Sequence, residues 1–95
     1  MKIGKNILVN FVVSEATRWA DLAACVRTSG GDLLEHVEYK DTYRDAERLG
    51  AGRKSLLLTM QLRRRDGTLT SDEADRVRDQ VVAACQQQLG AELRA

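Results

Sequence analysis

From Leu56 to Leu62 every second side chain is a large apolar one. Leu56, Leu58, Met60 and Leu62 fall on one side of an extended chain, and Ser55, Leu57, Thr59 and Gln61 on the other. Alternation of period two marks a strand with one buried face. Such a strand needs neighbours to satisfy its backbone and an apolar layer to cover its leucine side. The rest of the chain offers both.

A second β-branched run, Ile7-Leu8-Val9-Asn10-Phe11-Val12-Val13, is too short for a helix and reads as strand one, with Ile7, Val9, Phe11 and Val13 on its core face. Asn10 is the polar residue on the opposite face, between Leu8 and Val12. Ser14 or Thr17 is placed to cap the helix that follows over about residues 17–29. Trp19, Leu22, Ala23 and Val26 form its apolar stripe, and Ser29-Gly30-Gly31 stops it. Leu33 to Tyr43 alternates loosely, with charge on both faces, and reads as a bulged strand. Residues 44–54 read as a flexible loop rich in Gly, Ala and charge.

Asp66-Gly67 makes a turn, and Thr70-Ser71-Asp72-Glu73 is a capping box opening a long helix. Ala74, Val77, Val81, Ala84 or Cys85, and Leu89 are its buried stripe, and Gly90 ends it. Ala91-Glu92-Leu93-Arg94 is long enough for one more short strand. The order β-α-β-β-α-β is the split βαβ or ferredoxin-like arrangement, an α+β fold. Two helices then cover one face of a four-stranded antiparallel sheet and leave the other face open. A chain of 95 residues fits one such domain, 1–95.

Composition removes several function classes. The net charge is +1, so the chain is no polycation, although Arg44, Arg48, Arg53, Lys54 and Arg63-Arg64-Arg65 cluster locally. No apolar run approaches the roughly 18 residues of a membrane span, and Met1-Lys2-Ile3-Gly4-Lys5 leads into no secretory core, which makes the expected location cytoplasmic. Cys25 and Cys85 stand sixty positions apart within helical patterns and read as small buried hydrophobes, not as a zinc or redox pair. The single histidine, His36, lies on a strand among acids and reads as a surface residue with no catalytic partner. Gly50-Ala51-Gly52-Arg53-Lys54-Ser55 lacks the spacing of a phosphate loop and runs into a strand, not a helix. Acylphosphatases use a glycine-rich connection after strand one; here that connection is Ser14-Glu15-Ala16-Thr17.

The segments Asp32-Leu33-Leu34-Glu35 with Val37, Tyr39-Lys40-Asp41-Thr42-Tyr43, Gly52-Arg53-Lys54-Ser55-Leu56, Thr68-Leu69-Thr70-Ser71-Asp72-Glu73 and Gly90-Ala91-Glu92-Leu93-Arg94 follow one another in a set order. Over about residues 11–94 the chain thereby resembles the C-terminal ferredoxin-like anticodon-binding domain of the bacterial phenylalanyl-tRNA synthetase β subunit. Where that family opens strand one with Arg-Asp, this chain has Ile7 and Leu8.

The resemblance implies a tRNA-binding module without chemistry, cofactor or metal of its own. Its partners would be the anticodon loop of phenylalanine tRNA and synthetase subunits, and neither DNA nor a membrane. It assigns Tyr43 to stacking on an anticodon base, Asp41 to accepting hydrogen bonds from a base edge, Ser55 to a nearby hydrogen bond and Asn10 to facing the same bases. Independently of the resemblance, unpaired loops are where proteins read RNA sequence, and Asp41 and Tyr43, two apart, share a strand face. Arg44, Arg53 and Lys54 would border the patch and meet phosphates. The competing reading is a protein-interaction or dimerisation domain that keeps the fold, in which Leu8, Val12 and Leu57 matter more than Tyr43.

Overall fold

The computed structural model describes residues 4–94. The expectations touching Met1, Lys2, Ile3 and Ala95, namely the leader reading and the outer limits of the 1–95 domain, lie outside the described residues.

The alternating runs form β1 (Lys5–Ser14), β2 (Leu34–Tyr43) and β3 (Arg53–Leu62), with a two-residue β4 (Glu92–Leu93). They assemble in the order β2-β3-β1-β4, the ferredoxin-like α+β arrangement, and every pairing is antiparallel. β1 is longer than its apolar run because β3 pairs with it from Lys5↔Leu62 to Ser14↔Arg53. Polar end residues are held by the ladder even where periodicity gives no signal. The expected core face of β3 is the observed one: Leu56 is 2% exposed, and Leu58, Met60 and Leu62 are fully buried.

Helix α1 spans Trp19–Gly30, shifted from the expected 17–29. Neither Ser14 nor Thr17 caps it. The Ser14 hydroxyl accepts the Ala16 N–H at 3.2 Å and its carbonyl accepts the Thr17 N–H at 3.0 Å, which closes a turn before the helix begins. Arg18 is the N-cap, with its N–H donated to the Asp21 carboxylate at 3.2 Å. At the other end Gly31 takes φ 74°, a left-handed value open to glycine. Helix α3 (Ser71–Leu89) has the expected capping box, with the Thr70 hydroxyl accepting the Glu73 N–H at 3.2 Å and Glu73 accepting the Thr70 N–H at 3.1 Å. Leu22 and Val26 of α1 and Val77, Val81 and Cys85 of α3 cover the leucine face of the sheet. Cys25 and Cys85 are buried free thiols between these helices, and burial pushes Cys85 up to about 12, with Cys25 adding to the effect.

The stretch 44–54 is not a flexible loop throughout. Ala46–Leu49 forms a one-turn helix, α2, whose N-terminal amides at Glu47 and Arg48 donate to the Asp45 side chain at 3.0 and 3.3 Å. Leu49 anchors it, at 7% exposure. A single apolar residue among charges carries no periodicity, so this turn has no sequence signature apart from its Asp cap.

Among the described residues no helix is long and apolar enough to cross a membrane, and no cluster of His, Cys, Asp and Glu could hold a metal ion.

Candidate nucleic-acid interface

β2 contains two register shifts, one between Leu34 and His36 and one between Tyr39 and Asp41. The second decides what the open face presents. Before it, Val37 and Tyr39 pair with Met60 and Leu58 and so share the helix side of the sheet. There Tyr39 meets Trp19 edge to face, with ring centroids 5.4 Å apart, which places Trp19 at the helix–sheet boundary. After the shift Asp41 pairs with Leu57 and Tyr43 with Ser55, both outward positions of β3. The bulge thus turns Asp41 and Tyr43 away from the helices, although Tyr39 and Tyr43 have the same sequence parity.

On β1 the outward residues include Leu8, Asn10 and Val12, opposite Thr59, Leu57 and Ser55. Asn10, Asp41, Tyr43 and Ser55 therefore converge, and with Arg48, Leu57 and Arg94 they line one open depression of about 350 Å³. Ser55 lies at its floor, only 1% exposed, and its hydroxyl donates to the Asn10 side-chain oxygen. Tyr43 is 38% exposed. Its hydroxyl donates to the Asp45 carboxylate at 2.9 Å, the same carboxylate that caps α2. That bond holds Asp45 below the ordinary aspartate range and raises Tyr43 above the ordinary phenol value.

The expected basic border divides. Arg53 stays on the open face, half-buried and paired with Glu92 at 3.1 Å. Lys54 does not: it pairs with Val13 on the helix side, is 9% exposed, and donates to the Glu15 carbonyl at 3.1 Å. Arg44 also leaves the patch, gripping the Glu15 carboxylate through Nε at 3.0 Å and Nη2 at 2.7 Å. Arg44, ahead of Lys54, holds Glu15 below the ordinary glutamate range. These two cations tie the β1–α1 turn to the ends of β2 and β3, so the acid in the Ser14–Thr17 connection has a structural partner.

Arg94 and Arg48 were not expected at the site. Arg94 follows β4, and its N–H donates to the Asn10 carbonyl at 2.8 Å. Its guanidinium carbon lies 5.2 Å from the centroid of the Tyr43 ring. The signal that could have found it is topological: once β4 lies antiparallel to β1, the residue after Leu93 stands opposite Asn10.

A larger depression of about 410 Å³ lies at the far end of β3, lined by Asp32, Leu33, Arg63, Arg64, Arg65, Asp66 and Glu73. Two of its three arginines are answered locally, Arg63 by Glu35 at 3.2 Å and Arg64 by Glu73 at 2.9 Å, and Asp32 and Asp66 also line it, so its charges largely cancel. The smaller depression on the open face has the polar groups, the aromatic ring and the cations together.

Residues 9–94 match the family described as the ferredoxin-fold anticodon binding domain. Relatives include phenylalanine–tRNA ligase β subunits from Streptomyces avermitilis, 41% identical over 87 residues (92% of this chain, 10% of that subunit), and from Shouchella clausii, 42% identical over 84 residues (88% and 10%). The subunit from Rhodopirellula baltica is 35% identical over 85 residues (90% and 12%). The chain thus spans about a tenth of the length of the curated relatives it matches.

Proposed function

This chain belongs to the ferredoxin-fold anticodon binding domain family, and we propose that it binds the anticodon loop of phenylalanine tRNA on its open sheet face, contributing recognition and no chemistry. The phenylalanine–tRNA ligase subunits among its relatives suggest both the tRNA and a synthetase as its partners, in the cytoplasm. The observation that carries the reading is the convergence of a ring, a carboxylate, an amide and a hydroxyl, from Tyr43, Asp41, Asn10 and Ser55, in one depression. An unpaired base needs that combination: an aromatic surface to stack on and acceptors or donors for its edge. Arg94 brings a cation with no carboxylate partner among the described residues to meet a phosphate backbone, and Arg48 and Arg53, paired with Asp45 at 3.7 Å and Glu92 at 3.1 Å, lie beside it.

The protein-docking alternative calls for a continuous apolar surface. Leu8 is 64% exposed, but Thr59 and Glu38 complete its rung of the sheet, so it stands among polar neighbours.

The reading is tested by titrating labelled phenylalanine tRNA transcript at two salt concentrations, with NMR detection to reach weak affinities. A clear loss of affinity with salt is expected. Tyr43→Ala should weaken binding roughly five- to one-hundred-fold, the worth of one stacked base. No open-face response to the tRNA at either salt refutes the proposal, and unchanged affinity in Tyr43→Ala removes the stacking role.

A further inference from the structure

Tyr43 and Arg94 belong to opposite margins of the sheet, since β2 and β4 are its two edge strands. Three strand spacings of about 4.8 Å put those edges about 14 Å apart. Side chains standing straight off the sheet would never meet. Yet the Arg94 guanidinium lies 5.2 Å from the Tyr43 ring centroid, so both side chains lean inward across β3 and β1. Both line the depression whose floor is Ser55, 1% exposed on what is nominally an open face. The free protein therefore has its stacking ring already occupied, by a planar cation.

Resting on the anticodon-loop reading above, we propose that Arg94 is a displaceable latch: an incoming base takes the guanidinium's place against Tyr43, and the freed guanidinium moves to that nucleotide's phosphate. The magnitudes favour exchange in this direction. A cation over an exposed ring is worth roughly two- to five-fold in an equilibrium constant, and a stacked base roughly five- to one-hundred-fold. The side chain is free to move, because what β1 holds is the Arg94 backbone N–H, and no carboxylate pairs with its guanidinium among the described residues. The latch also carries the charge needed on the other side of the exchange.

The test follows the Arg94 side chain by NMR while the wild-type chain is titrated with an RNA hairpin carrying the phenylalanine anticodon loop. In the free protein the Arg94 δ and ε protons should be shifted upfield by the ring current, an effect that Tyr43→Leu abolishes. On saturation with the hairpin the shift should vanish while open-face signals of Asp41 and Asn10 change. In parallel, Arg94→Ala should bind the hairpin two- to five-fold more tightly at high salt, where phosphate contacts are screened, and should lower the salt slope by about 0.7. Open-face changes with the Arg94 shift intact overturn the latch and leave the binding reading standing. Equal loss of affinity in Arg94→Ala at both salts also overturns it, since that makes Arg94 a plain contact. No open-face change at all overturns both.

Discussion

At the scale of single residues, Asp45 does the most with the fewest atoms. One carboxylate oxygen accepts the Glu47 and Arg48 amides and so starts α2; the other accepts the Tyr43 hydroxyl and so fixes the direction of the ring. Stacking depends on a ring held in one place, because an unrestrained side chain loses rotamer freedom on binding. Asp45→Ala should therefore weaken RNA binding although Asp45 is absent from the lining of the depression. Tyr43→Phe keeps the ring and loses only the hydroxyl bond, so it should retain much more affinity than Tyr43→Ala. A titration with all three variants checks the order: Ala at position 43 weakest, Ala at 45 next, Phe closest to wild type. Equal affinity of the Phe and Ala variants at position 43 would mean that the ring is not what the RNA uses.

At the scale of elements, the fold is held by how helices end. Gly30 closes α1 directly against Leu34, and a β-carbon there would run into the Leu34 side chain, whose Cβ stands 2.8 Å from the position it would take. Gly30→Ala should cost about 1–3 kcal/mol through forced displacement of the α1–β2 connection. Thr70→Ala removes the hydroxyl half of the α3 capping box and should cost about 1 kcal/mol. Urea titrations give both differences, and a Gly30→Ala variant as stable as wild type would show that Leu34 yields freely. Features of this kind were partly legible in the amino-acid sequence. The capping box, Gly90 and the leucine face are local patterns, each readable from a few neighbouring residues, and they appear where the patterns put them. The Tyr39–Asp41 register shift is not local: only pairing with β3 reveals that one residue is skipped, and with it that Tyr39 and Tyr43 part company. Lys54 is a different case. It has the parity of Leu56 and Leu58, so the alternation of β3 already assigned it to the helix side, against the charge argument that put it at the RNA. Arg94 needed the topology before its sequence position meant anything.

At the scale of the whole molecule, the carboxylates held below their ordinary range sit at the junctions between elements. Asp21 closes the start of α1, Asp45 that of α2 and Glu73 that of α3, while Glu15 binds Arg44 to join the β1–α1 turn to the end of β2. For each the folded protein favours the ionised form: through Arg44 for Glu15, Arg18 for Asp21, Tyr43 for Asp45 and the Thr70 amide for Glu73. A carboxylate whose folded value lies below its unfolded one binds fewer protons when folded. Its contribution is complete above the unfolded values of 4.5 for glutamate and 3.8 for aspartate, and is lost as pH falls through the folded values. Stability should then be level from neutral pH to about 5 and fall steadily below it. Glu15 is exposed and the other three are half-buried at the surface, so salt should shrink the part that comes from ion pairing with Arg18, Arg44 and Arg64, and leave the part that comes from backbone amides at the helix caps. The check is the urea midpoint measured from pH 7 to about pH 3 at low and at high salt, for wild type and for Glu15→Gln. The variant should begin less stable at neutral pH and converge on wild type in acid, because protonation takes from wild type what the substitution has already removed. A gap between the two that stays constant across the range would mean that Glu15 acts through shape alone and that its charge contributes nothing.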